Sequence, residues 1–335
     1  MKKRLIIFTH GGGRLANQLT NYAHLFAFWS ENKAEVDVIN LAFGPYSELF
    51  ENIKSSTVGY LPENHGRFAL TISIFKRFMV SRENNTRTLL NQVVRLFHLL
   101  FGLIPGMQSI KKGVSPNYLP YLYGRRIDAL DFQSAESMKE FRAADVTLLA
   151  GWPIRSWPLF EKHQNEIRRF FSVNRAYKDN ADSFVARVRE QKRVLIGVLM
   201  RQDDYRIWND GKYFFSSEQY ADWMLQLTTL FPDKDLGFVL ASDEEQNRDV
   251  FKGLPVYYST GQKLGSAHFI ESFTELSLCD YVMTPPSTFG IWAAFLGNVP
   301  IIPVYERGQI LSESQFLRRN LFDAIVHPHM SVSLQ

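Results

Sequence analysis

The segment Tyr281-Val-Met-Thr-Pro-Pro-Ser-Thr-Phe-Gly-Ile-Trp-Ala-Ala-Phe-Leu-Gly297 leaves the chain few ways to fold. The apolar run 281–283 predicts a short strand, which Pro285 and Pro286 end by removing two backbone donors. Ser287 or Thr288 can then cap a helix with its hydroxyl, and Phe289, Trp292, Ala293 and Leu296 recur at helical spacing. Gly297 is expected to close that helix in the left-handed conformation. Such a strand-to-helix turn leaves first-turn N–H groups without internal partners at the positive end of the helix dipole. That setting favours a phosphate by roughly 0.3–2 kcal/mol. An ordinary capped helix lying on a sheet has the same pattern, so other segments must decide between the two.

The chain opens in a related way. Lys3 to Thr9 reads as a buried strand that runs into His10-Gly-Gly-Gly-Arg-Leu-Ala-Asn-Gln-Leu19. A helix follows, with Leu19, Tyr22, Ala23, Phe26 and Ala27 on one face, and then a strand over 36–41. Gly11-x-Gly13-x-x-Ala16 fits the dinucleotide fingerprint, in which bare backbone approaches a pyrophosphate. Two features oppose a nicotinamide enzyme: the second strand ends near Asn40 where an acidic residue should meet the ribose, and the loop carries Arg14, Asn17 and Gln18.

A strand over 146–150, a polar helix over 159–171 and a charged helix over 178–191 come next, the last placed to bridge two halves. A second α/β run then begins, with strands at 194–200, 236–241 and 256–258 and helices at 217–230 and 269–278, leading into the segment described first. With 335 residues, two domains are expected, 1–180 and 181–335, each Rossmann-like.

Hydrophobic residues make up 45% of the chain and charged residues 21%, which excludes a disordered protein. Cys279 is the only cysteine, so no intrachain disulfide forms and a reducing, cytoplasmic setting is expected. The basic start is followed by too few apolar residues for a signal peptide, and no run approaches the length of a membrane span. The net charge of +4 is uneven: 67–112 holds eight Lys and Arg residues against Glu83 alone, a net of +7, which leaves the remainder at −3. This stretch reads either as solvated helices over the first sheet or as an amphipathic surface resting on an anionic membrane or a lipid-linked acceptor, on the inner face of the membrane. No basic–aromatic repeat points to nucleic acid.

Three loops in the second half leave the C-terminal ends of predicted strands, where open α/β sheets bind ligands. Met200-Arg-Gln-Asp-Asp-Tyr205 carries a guanidinium able to fork onto phosphate oxygens. Ala241-Ser-Asp-Glu244 offers carboxylates to a base or ribose, and Pro286-Ser-Thr-Phe289 starts a helix. Together they describe a site for a nucleotide diphosphate, although Arg201 could instead pair with Asp203 or Asp204. No DxD pair, HExxH motif or Cys/His cluster is present, so no protein-held metal and no further cofactor is expected.

These segments resemble the α-1,2-fucosyltransferases (glycosyltransferase family 11) and, more distantly, the α-1,6- and protein O-fucosyltransferases. Gly12-Gly-Arg-Leu-Ala-Asn-Gln-Leu19 is similar to the family's Gly-Gly-x-Gly-Asn-Gln-Leu. Ile196 to Tyr205 is similar to its His-x-Arg-Arg-Gly-Asp-Tyr, and Ser287 to Leu296 to its C-terminal block. Gly151 to Phe171 also resembles a family segment, so the likeness covers most of the chain outside 43–140. The resemblance implies a two-domain GT-B fold with facing Rossmann-like domains and a cleft between them. It also implies metal-independent, inverting transfer of L-fucose from GDP-fucose, held by the C-terminal half, to a galactoside-type glycan on the N-terminal half. Arg201 then contacts the donor pyrophosphate, Ser287, Thr288 and Phe289 form the phosphate-binding block, and Asp243 lies on the donor loop. Gly13 and Asn17 belong to the glycine loop. A carboxylate is expected to take the acceptor proton; Asp204 and Asp210 are the candidates, with Asp204 alternatively only orienting Arg201.

The chain also departs from the family. Leu199 stands where the family has His, Gln202 where it has a second Arg, Asp203 where it has Gly, and Ser272 where it usually has Asp. Restoring arginine at 202 is expected to leave activity equal or higher. The departures leave two alternatives: a nucleotide-sugar-binding protein that has lost catalysis, or an enzyme of this fold with a different donor.

Overall fold

The computed structural model describes residues 3–10, 13–53, 96, 99, 103, 107–111, 130–150, 154–261 and 269–316. Most of the basic stretch 67–112, expected to form solvated helices or an amphipathic surface, lies outside the described residues, as do Gly11, Gly12 and 151–153. Among the described residues no helix is long and apolar enough to cross a membrane. The fold is mixed α/β with parallel sheets, and the chain divides into two compact units, Met1–Ser172 and Val173–Gln335.

The first unit contains β1 (Arg4–His10), α1 (Leu15–Asn32), β2 (Val36–Asn40), β3 (Met107–Lys111), β4 (Leu130–Asp131), α2 (Ala135–Arg142), β5 (Val146–Ala150), β6 (Ile154–Arg155), α3 (Trp157–Lys162) and α4 (Gln164–Phe170). Its main sheet has the order β2-β1-β5-β3, and all pairings are parallel. The expected polar helix over 159–171 is two helices, α3 and α4, broken at His163, whose backbone (φ −100°, ψ 15°) leaves the helical region. Strand β3 was not expected, because its short sequence Met-Gln-Ser-Ile-Lys lacks an apolar run.

Helix α1 is buried on more than the one face its apolar spacing defines. Tyr22 sits in a cage of rings, with Phe43, Phe170 and Phe171 at centroid distances of 4.9, 5.4 and 5.4 Å. On another side His24 is fully buried, packs edge-on against Trp157 at 4.6 Å, and accepts a hydrogen bond from the Ser156 N–H at 3.0 Å. Burial, helped by the charge of Arg155, holds the His24 pKa well below the usual imidazole range, so the ring is neutral.

The second unit contains α5 (Arg175–Arg189), β7 (Val194–Met200), α6 (Ser217–Leu230), β8 (Leu236–Ser242), β9 (Val256–Tyr258), α7 (Phe269–Ser277), β10 (Tyr281–Thr284), α8 (Thr288–Gly297) and β11 (Ile301–Pro303). Its parallel sheet runs β11-β10-β7-β8-β9. The apolar runs of β7 and β8 are buried on both faces, as a parallel sheet covered by helices requires. Ile196, Val198 and Met200 join Trp223 of α6 and Phe238 in one core, whereas Leu195 and Val239 join Val185, Val188 and Cys279 on the opposite face. The charged helix α5 belongs to this unit and is started by Asn174, whose side chain accepts from the Ala176 N–H at 3.1 Å.

Strand order decides where this sheet can bind a ligand. From β7 the chain runs to β8 and β9 on one side, then crosses to β10 and β11 on the other. The direction reverses between β7 and β10, and a crevice opens beyond the carboxyl ends of strands at such a point. In the first sheet β1 and β5 flank the corresponding reversal, and the loop after β1 holds Gly13.

Candidate active site

Three loops meet at the β7/β10 switch point. Arg201 follows β7 directly, and its side chain is 16% exposed. One terminal nitrogen, Nη2, donates to Asp204, and the other, Nη1, lies 3.1 Å from Asp243 Oδ2 beyond β8. The guanidinium also lies over the Tyr205 ring, 5.0 Å from its centre, while Nε is buried without a protein partner. Burial works against the Arg201 charge, but Asp243, Tyr205 and Asp204 outweigh it and raise the pKa above the ordinary arginine value. The pairing weighed from sequence, Arg201 with Asp204, is therefore present.

Asp243 also fastens the arginine loop itself. Its Oδ1 accepts from the backbone N–H groups of Gln202 at 2.8 Å and Asp203 at 3.4 Å. The carboxylate offered to the donor's ribose by the sequence reading is thus engaged within the protein, as the clamp between the β7 and β8 loops. A second clamp is buried beside it. Gln202 Nε2 donates to the Phe215 carbonyl at 3.1 Å, and Gln202 Oε1 accepts from Gln246 Nε2 at 2.8 Å. Gln246 in turn accepts from the Ser217 hydroxyl at 2.8 Å. The side chain at 202 therefore points into the protein, which argues against the expectation that arginine there leaves activity equal or higher: it would bury an extra guanidinium among amides.

The third loop joins through Tyr205, whose phenol donates to the Pro286 carbonyl at 2.6 Å. Past the two prolines, Ser287 is the N-cap of α8 with an extended backbone (φ −139°, ψ 119°), but its side chain makes no capping hydrogen bond. The hydroxyl cap expected of Ser287 is absent, so its oxygen does not close the first turn. Thr288 is half-buried, and the Phe289 ring packs edge-on against Phe273 of α7 at 5.1 Å. Gly290 lets the helix start press onto the sheet: a methyl group there would lie 2.3 Å from Thr284 Oγ1 and 3.1 Å from Leu199 Cδ2. Leu199, in the place of the family's histidine, is buried under this turn.

At the other end of α8 the expectation for Gly297 fails. The left-handed residue is Asn298 (φ 54°, ψ 39°), and Gly297 is the last helical residue. A methyl group on Gly297 would lie 2.0 Å from the Ser277 carbonyl oxygen, so the glycine is needed for close approach of α8 to the end of α7.

Asp210 lies in a run of three left-handed residues, Asn209, Asp210 and Gly211, with φ of 51°, 55° and 70°. In the first unit Gly13 is left-handed (φ 72°), and a methyl group there would fall 2.1 Å from Asn17 Nδ2. The glycine therefore lets the loop lie against Asn17 in the first turn of α1, beside the β1/β5 reversal. Among the described residues no group of three or more His, Cys, Asp or Glu side chains is arranged to hold a metal.

Tyr205 and Gln246 are contributors that the sequence did not single out, and Gln202 stood out only as a departure from the family. Tyr205 had a signal, as the last residue of the arginine motif. The contact between Gln202 and Gln246 had none, since it spans 44 positions.

No protein-family model matches the chain. Galactoside α-(1,2)-fucosyltransferase 2 of Sus scrofa is 26% identical over 236 residues, which cover 64% of this chain and 65% of that protein. Galactoside α-(1,2)-fucosyltransferase 1 of Homo sapiens is 27% identical over 188 residues, 51% of this chain and 48% of that protein. The chain thus spans about half to two thirds of the length of these relatives. Among solved structures, a mutant of Arabidopsis thaliana FUT1 in complex with GDP superposes with a TM-score of 0.52 at 13% identity, covering 93% of this chain and 72% of that one. NodZ α-1,6-fucosyltransferase soaked with GDP-fucose gives a TM-score of 0.50 at 15% identity, covering 92% and 98%. The chain is similar in sequence to the galactoside α-1,2-fucosyltransferases and has the fold of solved fucosyltransferases.

Proposed function

We propose that this protein is a GT-B fucosyltransferase that moves L-fucose from GDP-fucose to a hydroxyl of a galactoside-type glycan, in α-1,2 linkage and with inversion. The second unit takes the donor and the first, with Gly13 and Asn17, the acceptor. One observation carries the reading: Arg201 and the start of α8 flank the switch point of a parallel sheet and are tied together through Tyr205. A part-buried, permanently charged fork beside a helix N-terminus is suited to a diphosphate whose charge grows as it leaves.

In the proposed reaction the acceptor oxygen forms a bond to the fucosyl anomeric carbon while the bond from that carbon to the β-phosphate oxygen breaks. The electron pair departs on GDP, stabilised by Arg201 and the α8 N–H groups. The acceptor proton passes to a carboxylate, for which Asp204 is the candidate beside Arg201. No metal takes part in this scheme.

A second reading, a nucleotide-sugar-binding protein without turnover, is favoured by one feature: both terminal nitrogens of Arg201 already face carboxylates. Incubation with GDP-fucose and galactoside acceptors, with GDP release and product mass followed together, separates the two. Fucosylated product supports transfer, and GDP binding without release supports the second reading. Selective binding of UDP would replace the donor.

A further inference from the structure

Arg201 holds its two carboxylates unequally. Asp243 is 16% exposed and is fixed by two backbone N–H groups of the neighbouring loop, at 2.8 and 3.4 Å. Asp204 is 43% exposed and lies three positions along the same loop as the arginine. An anion arriving from solvent therefore competes with Asp204 and not with Asp243. A diphosphate brings more charge and more acceptor oxygens than one carboxylate, and a pair whose carboxylate is 43% exposed can be reached by such a competitor. Meanwhile Asp243 on one side and the Tyr205 ring, 5.0 Å away, on the other keep the guanidinium in position, so no rearrangement of the arginine is needed.

We propose that Asp204 is an internal stand-in for the donor, occupying one nitrogen of Arg201 until a nucleoside diphosphate replaces it, and that this exchange releases the carboxylate to receive the acceptor proton. The inference rests on the reading that Arg201 meets the donor's diphosphate. It gives Asp204 two successive roles, so the proton acceptor becomes available only when the leaving group is seated. It also accounts for a site that is electrically closed without ligand, the feature that otherwise favours a non-catalytic protein.

The test is calorimetric titration of GDP into wild type, Asp204→Asn, Asp204→Ala and Asp203→Asn. Asp203 is an exposed carboxylate of the same loop, so its substitution changes the charge equally without touching the exchange. Both Asp204 variants are expected to bind GDP roughly two- to fivefold tighter than wild type, the range that loss of one competing, solvent-accessible carboxylate allows, with Asp203→Asn near wild type. Asp204 variants that keep the wild-type melting temperature and bind GDP equally or more weakly overturn the exchange. An equal gain in Asp203→Asn overturns it too, by showing a general effect of charge. Wild-type protein that binds no GDP would instead remove the reading of the site on which the inference rests.

Discussion

The phenol oxygen of Tyr205 lies 2.6 Å from the carbonyl oxygen of Pro286, and the same ring lies beneath the guanidinium of Arg201. One side chain thus sets the distance between the cationic loop after β7 and the helix start after β10. A diphosphate gains from both only if that distance is fixed before it binds.

Tyr205→Phe keeps the ring under Arg201 and removes the bond to Pro286, leaving a buried carbonyl without its partner. A loss of about 1–3 kcal/mol in stability is expected, with weaker GDP binding as the loops loosen. Urea denaturation and GDP titration check the two effects. Wild-type behaviour in both would show that the loops are held apart by other contacts.

Gln202→Arg tests the buried amide clamp. The side chain is 5% exposed, so a guanidinium there would be desolvated in a pocket fitted to an amide. Destabilisation by about 3 kcal/mol or more is expected, read as a lower urea midpoint. An unchanged midpoint would mean that the loop reorients easily.

Glu275 predicts a pH dependence. On α7 it is fully buried, its carboxylate shares the Thr260 hydroxyl with Glu271, and that hydroxyl can donate only one hydrogen. Burial raises its pKa, bonds from Ser259 and Thr260 lower it, and the charge of Glu271 raises it again, for a net rise. The folded state therefore holds this proton to higher pH than the unfolded chain. The stabilising contribution is complete below the unfolded carboxyl pKa of about 4.3 and is lost as pH rises through the folded value. Glu275→Gln should melt above wild type at pH 7 to 8, and the gap should close towards about pH 4. A gap that is constant with pH would contradict a retained proton.

Metal removal separates this charge scheme from one based on a bound cation. With Arg201 and α8 meeting the diphosphate, transfer should survive EDTA unchanged. Loss on chelation with recovery in manganese would place the charge stabilisation on a metal.

Much of the second unit could be read from sequence, because its strands are continuous apolar runs that can only be buried. Val194–Met200 and Ser217–Leu230 have the bounds their patterns predict. Strand β11 is three residues long and β3 has no apolar run, so neither carried a periodic signal. Arg201 and the turn into α8 were legible as motifs, but their fastenings were not. Asp243 meets Gln202 across 41 positions and Tyr205 meets Pro286 across 81, contacts that topology alone creates. Gly297 shows the same limit. Its place at a helix end suggested a left-handed cap, whereas the reason for glycine is the Ser277 carbonyl on a neighbouring helix.

The most direct measurement is turnover of GDP-fucose with a galactoside acceptor by wild type, Arg201→Lys and Arg201→Ala. Arg201 is paired with the part-buried Asp243, so the alanine variant should also lose stability, which makes the lysine variant the necessary folded comparison. Wild type should form fucosylated product, with kcat/KM reduced roughly 10²–10³-fold in Arg201→Ala and only partly restored by lysine, whose point charge cannot reproduce the fork. Near-wild-type turnover by Arg201→Ala would contradict the account, because the diphosphate would then be held elsewhere.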